Sequence, residues 1–174
     1  MIDFEKLDYL KSGNKLQQKA YRLLTDHQVF EKLATFHPVL TGTIPINIAI
    51  ATSDLDVICH CTTLNEFKQS LIDYFCQEKD FELREVEIND QQTIIANFKI
   101  EDFELEIFGQ ATPAQQQNAY RHMLIEHQVL MAKGELFRQQ IIMLKKQGYK
   151  TEPAFAKLLG LEGDPYEALL NFIP

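Results

Sequence analysis

The chain has 174 residues, of which 45% are apolar and 24% charged, and its formal net charge is −8. These values suit one globular domain with a core of its own. The acidic balance argues against tight nonspecific binding to nucleic acid, which needs a positive surface.

Residues from about 14 to 35 read as helix, with a break near Asp26. Leu16, Ala20, Leu23 and Leu24 give the apolar stripe of an amphipathic helix. From Val39 to Ile58 the chain turns rich in Ile, Val and Thr, with Gly42 and Pro45, and predicts turn and strand. Thr63 and Glu66 have the spacing of a capping box and open a predicted helix to about Gln77. Three strands follow at Phe81–Ile88, Thr93–Ile100 and Phe103–Phe108, with turns expected at Asn89-Asp90 and Glu101-Asp102. After Pro113 the pattern is helical, over about 114–132, 135–147, 153–160 and 165–171. Asp164 caps the last of these and Pro165 takes its first position. Clustered strands flanked by helices predict an α+β fold with a mixed or antiparallel sheet of about five strands. The expectation is a single domain over 1–174, with a sheet core to about 112 and a helical part from about 113.

Charge is unevenly spread. Residues 61–110 carry twelve acids and four bases, and so hold the whole net charge. Cys59, Cys61 and Cys76 show no C-x-x-C spacing and are expected to be reduced. No apolar run approaches the ~20 residues of a membrane span. The start Met1-Ile2-Asp3-Phe4-Glu5 is too acidic for a signal peptide, so the cytoplasm is the expected location.

The most informative stretch is Gly42-Thr43-Ile44-Pro45, followed by Ser53-Asp54-Leu55-Asp56. In a strand, Asp54 and Asp56 share a face while Leu55 takes the other. Two such carboxylates repel unless a cation lies between them, and Mg²⁺ favours few carboxylates with waters and phosphate oxygens. The plainer alternative makes Asp54 a turn cap and Asp56 a solvated edge residue.

This pattern resembles the DNA polymerase beta-like nucleotidyltransferase superfamily: a Gly-Ser or Gly-Thr turn, then two acids flanking an apolar residue. The resemblance implies that Gly42 and Thr43, with Ser53 nearby, approach nucleotide phosphates. It implies that Asp54 and Asp56 hold Mg²⁺ (or Mn²⁺), and that a third acid on a neighbouring strand acts as base or ligand. Glu104 and Glu106 both qualify, and Glu106, between Leu105 and Ile107, fits better. Asn47 stands where many members of the superfamily have Gly, and Asn tolerates left-handed dihedrals. Glu106-Ile107-Phe108-Gly109-Gln110, Gln117-Asn118-Ala119-Tyr120-Arg121-His122-Met123 and Lys150-Thr151-Glu152-Pro153-Ala154-Phe155 extend the likeness to an uncharacterised bacterial family of that superfamily.

Arg121 could meet a phosphate with its planar fork, or pair with Glu126 or another acid. Lys150 belongs to a basic stretch that either lines a triphosphate or forms a solvated helix end. His122, four residues before Glu126, is expected to be structural. Ser53 lacks a G-x-S-x-G elbow, which sets a serine hydrolase aside. The functional expectation is nucleotidyl transfer from an NTP to a hydroxyl of a small molecule or protein. The alternative is a non-catalytic nucleotide-binding or regulatory protein with the same fold, where a protein partner could dock on the helical tail. A nucleic-acid acceptor and a membrane are not expected.

Overall fold

A computed structural model describes residues 2–88 and 90–173. Among these, one mixed sheet holds β1 (Val39–Thr41), β2 (Leu55–His60), β3 (Lys79–Ile88), β4 (Gln91–Ile100) and β5 (Phe103–Gln110). Their order across the sheet is β1-β2-β5-β4-β3, with β2 and β5 parallel and the other neighbours antiparallel. The helices are α1 (Asp8–Lys11), α2 (Lys15–Asp26), α3 (Val29–Lys32), α4 (Leu64–Phe75), α5 (Asn118–Lys133), α6 (Glu135–Lys146), α7 (Thr151–Leu159) and α8 (Pro165–Leu170). The fold is α+β, as the clustered strands lead one to expect.

The three expected central strands are present, each two residues longer at one end. Glu101 turns the chain between β4 and β5 with φ 50°. The Asn89-Asp90 turn falls on Asn89, which lies outside the described residues. The first helical stretch breaks after Asp26, where Gln28 takes φ 54° between α2 and α3. A capping box does form, but at α2: Asn14 and Gln17 exchange backbone and side-chain bonds of 2.9 Å in both directions. The box expected at Thr63 does not. Thr63 is the N-cap of α4, yet its hydroxyl accepts no cap hydrogen bond. The helix expected over 114–132 is interrupted. A 3₁₀ turn at Ala114–Gln116 is cut from α5 by Gln117, which is extended at ψ 144°. The reason is a tertiary contact: the buried Gln117 amide donates to the carbonyls of Cys59 and Thr112, both at 2.9 Å.

The chain divides into two compact units. One runs up to Thr41 and includes Asp54–Gln117, and the other joins Gly42–Ser53 to the chain from Asn118 onward. In the first, alternation sorts the strands into two faces. Leu55, Val57, Leu105, Ile107, Ala96 and Phe98 occupy one face and are all buried. Helix α4 packs on β4 and β5. The Phe75 ring of α4 stacks on Phe98 at 4.8 Å, and Phe36 meets Phe67 edge-on at 4.9 Å. Phe67, fully buried, presses on Gly109 of β5. In the second unit α5–α8 pack consecutively, with Phe137 of α6 edge-on to Phe155 of α7 at 5.9 Å. Asp164 caps α8 by accepting from the N–H groups of Tyr166 and Glu167, each at 3.0 Å.

Gly109 lies on the buried face of β5, and a Cβ there would stand 2.1 Å from Cε1 of Phe67. Gly109→Ala is therefore expected to destabilise the protein by about 1–3 kcal/mol, the usual cost of overpacking. Adding Phe67→Leu should recover part of that loss, and urea unfolding of the single and double variants measures both effects.

Candidate functional site

The parallel register of β2 and β5 sets Asp56 opposite Glu106. Asn97 of β4 pairs with Glu106, Glu82 of β3 with Asn97, and Thr41 of β1 with Asp56. One row of polar side chains thus crosses all five strands on the face opposite the core. The strands are spaced by ~4.8 Å, so neighbouring side chains in the row are within each other's reach.

Glu106 is half-buried and its carboxylate is held: Oε2 accepts from Asn97 Nδ2 at 3.1 Å. Asn97 Oδ1 in turn accepts from Arg84 Nη2 of β3 at 2.8 Å. The chain Arg84–Asn97–Glu106 fixes the carboxylate plane and places an arginine two strands away. Glu104 is different. It is exposed and pairs with Lys99 at 3.1 Å, which also binds Asp80 at 3.1 Å. Asp56 is half-buried, and Asp54, one residue before β2, is exposed. Thr41 is buried, and its hydroxyl donates to the Asp56 carbonyl at 3.4 Å. Thr41, Arg84 and Asn97 were not singled out from the sequence. Asn97 carries a signal in retrospect: it is a polar, strand-averse residue in the middle of a β-branched and aromatic run.

The segment Gly42–Ser53 is a folded turn of the second unit. Gly42 has φ 78° and Asn47 φ 59°, so the asparagine adopts the left-handed backbone expected of it. The Thr43 hydroxyl donates to Ser53 Oγ at 3.1 Å, and Ser53 Oγ accepts from the Ile50 N–H at 3.0 Å. Arg138 of α6 clamps the turn by donating to the carbonyls of Ile46 at 2.6 Å and Asn47 at 3.2 Å. Thr43 and Ser53 are thereby brought together. Arg121, in the first turn of α5, is exposed and donates to Asn118 Oδ1 at 3.1 Å rather than to Glu126. Lys150 is exposed and is the N-cap residue of α7.

Among the described residues no group of three or more His, Cys, Asp or Glu side chains is placed to hold a metal ion. The donor set that is present, two adjacent carboxylates, fits Mg²⁺, which is usually held by one or two carboxylates with waters and substrate phosphates. The thiols offer no rival chemistry. Burial pushes Cys61 up to about 11, and burial with the neighbouring Cys61 pushes Cys59 higher still. Among the described helices none is long and apolar enough to cross a membrane.

A pocket of about 350 Å³ opens in the first unit, lined by Glu5, His37, Pro38, Val39, His60, Ala114 and Gln115. The His37 and His60 rings are stacked, 6.3 Å apart at 25°. His60 lies on β2 four residues beyond Asp56 and, by alternation, on the same sheet face. With Glu5 among its lining residues and neither Lys nor Arg, the pocket is ill suited to a triphosphate.

A mixed sheet of this order, flanked by helices and carrying acids side by side on its parallel pair, is a nucleotidyltransferase fold. Solved structures share it. A Cid1 structure described for its RNA terminal uridylyl transferase activity has a TM-score of 0.56 at 11% identity, over 80% of this chain and 45% of that one. The Cid1 poly(U) polymerase with MgGTP bound gives 0.54 at 11%, over 80% and 46%. The GLD-2/RNP-8 complex gives 0.53 at 13%, over 90% and 63%. The chain spans about half the length of the Cid1 chains, and at these identities the likeness is one of fold. By sequence the chain belongs to the family described as Domain of unknown function (DUF4269), which it matches over residues 22–172. No curated protein matches it.

Asp56 and Glu106 are like charges directly opposite on neighbouring strands, an arrangement that costs a few tenths to about 1 kcal/mol. Asp56→Asn is expected to raise stability by that amount in metal-free, low-salt buffer. The gain should shrink as salt is added, and urea unfolding at two ionic strengths checks both parts.

Proposed function

We propose that the protein is a Mg²⁺-dependent nucleotidyltransferase, moving a nucleoside monophosphate from an NTP to a hydroxyl of a small molecule or protein. One observation carries this reading: Asp56 and Glu106 sit in register on the sheet face opposite Leu55 and Leu105, with Glu106 oriented by Asn97. In this reading Asp56 and Glu106, with Asp54 beside them in the sequence, would hold Mg²⁺ (or Mn²⁺), which would supply positive charge to the phosphates. Glu106 takes the proton of the acceptor hydroxyl, a task for which its bond from Asn97 leaves Oε1. The acceptor oxygen forms its bond to the α-phosphorus as the bond to pyrophosphate breaks. We read Gly42, Thr43 and Ser53 as N–H and O–H donors to the phosphates, and Arg121 and Lys150 as carriers of positive charge for them. The bacterial affiliation, the single-domain reading and the cytoplasmic location belong to the same proposal.

A second reading, a non-catalytic or regulatory protein that binds a partner, draws on α6. Leu136 and Met143 are two turns apart on that helix and are 79% and 53% exposed. A relative in fold, GLD-2, was solved with RNP-8.

The deciding measurement is thermal stability with Mg²⁺ or Mn²⁺ and each of the four NTPs. A ligand that binds the folded state alone stabilises it by about 2.7 kcal/mol at a hundred times its dissociation constant. The expected outcome is a metal-dependent shift with at least one NTP that is lost in Asp54→Asn/Asp56→Asn and in Glu106→Gln. An absence of any shift in the wild type would turn attention to the α6 surface and a partner.

A further inference from the structure

Three buried ionisable groups of the second unit, His122, Glu126 and Lys145, gather near the half-buried Glu152 and the exposed Tyr166. Helix α5 contributes His122 and Glu126, α6 contributes Lys145, α7 contributes Glu152 and α8 contributes Tyr166. Glu126, His122 and Lys145 are 3%, 6% and 8% exposed. The His122 Nε2 lies 2.9 Å from the Tyr166 carbonyl, which can only accept, so that nitrogen carries a hydrogen. Its Nδ1 stands 3.8 Å from Glu152 Oε1. Glu126 Oε1 is buried and makes no hydrogen bond among the described residues. Glu126 thus feels the repulsion of Glu152 and the attraction of Lys145 while its carboxyl is out of contact with water.

Helix α8 is six residues long, too short to stand by itself. It is held by packing on α5 and α7, by Leu169, which is fully buried, and by the bond between the Tyr166 carbonyl and His122. Whatever changes the charge among these groups acts on the helix that depends on them most.

We propose that this cluster is a proton-operated latch for α8: with the Glu126 carboxyl neutral the latch is closed, and its ionisation beside Glu152 frees the segment from Asp164 onward. Burial, and then the nearby Glu152, push the Glu126 carboxyl up to about 8, while Lys145 pulls the other way. A carboxyl raised in the folded state binds a proton there that the unfolded chain has already lost. Its contribution to stability is full below the ordinary carboxylate range and falls as pH rises to about 8. The other titratable groups facing it are His122, Lys145, Glu152 and Tyr166. The Tyr166 phenol is itself held up by burial, Glu152 and Asp164, so it does not ionise in this window.

The test is hydrogen exchange of the full chain from about pH 6 to 9, corrected for the intrinsic rate. The amides read are Ala168, Asn171 and Phe172, which are bonded to the carbonyls of Asp164, Glu167 and Leu169. Protection there is expected to fall at least tenfold across that range, while α4 amides in the first unit keep theirs. Glu126→Gln should hold protection constant with pH. Glu152→Gln removes a charge that pushes the Glu126 carboxyl up, so it should make the loss smaller and complete it at lower pH, and it keeps the test decisive if the first variant folds poorly. Constant wild-type protection across the range, or an unchanged loss in Glu152→Gln, would overturn the latch.

Discussion

The structure depends above all on the pairing of β2 with β5. It is the parallel pair in the sheet, and it joins strands separated by α4, β3 and β4. Its register is set by apolar residues. Leu55 and Val57 face Leu105 and Ile107, all buried. A slip of one residue would carry Asp56 and Glu106 into the core and the leucines into solvent, which neither face can tolerate. The burial of the apolar set therefore aims the acids, and the candidate chemistry follows from hydrophobic packing on the other side of the same strands. Gly109 belongs to the same logic. It leaves room for Phe67 to close the core over β5, in register with Cys59.

Local pattern made much of this legible. Asp56 and the E-x-E run alternate with apolar residues, so their strand assignment and face can be read directly, whereas Asp54 falls one residue before β2. Asp164-Pro165 marks the start of α8 because an N-cap and its following proline are a purely local device. The Arg84–Asn97–Glu106 chain was not legible, since it exists only once three strands are in register. The same holds for Gln117. Its amide satisfies carbonyls of Cys59 and Thr112, and that bond overrides the helical pattern running through it. Thr63 shows the opposite failure: the spacing of a capping box without its hydrogen bond.

The helical part carries a lesson about position on a helix face. Spacing puts His122 and Glu126 on one side of α5, as read. It does not say that three further helices would bring Lys145, Glu152 and Tyr166 near them and leave Glu126 out of contact with water. Arg121, one residue before His122, turns away to the surface and binds Asn118. Glu126, the carboxyl the sequence offered it as a partner, lies buried inside.

The outer strand β3 gives the acidic middle of the sequence a physical meaning. Its exposed residues include Lys79, Asp80, Glu82, Glu85 and Glu87, and Glu85 is tied to Lys68 of α4. At ten residues it would be a long template for pairing with the strand of another molecule. A run of charged side chains along that edge, Arg84 among them, hinders a second copy approaching edge to edge, and so protects the protein against aggregation through its own sheet.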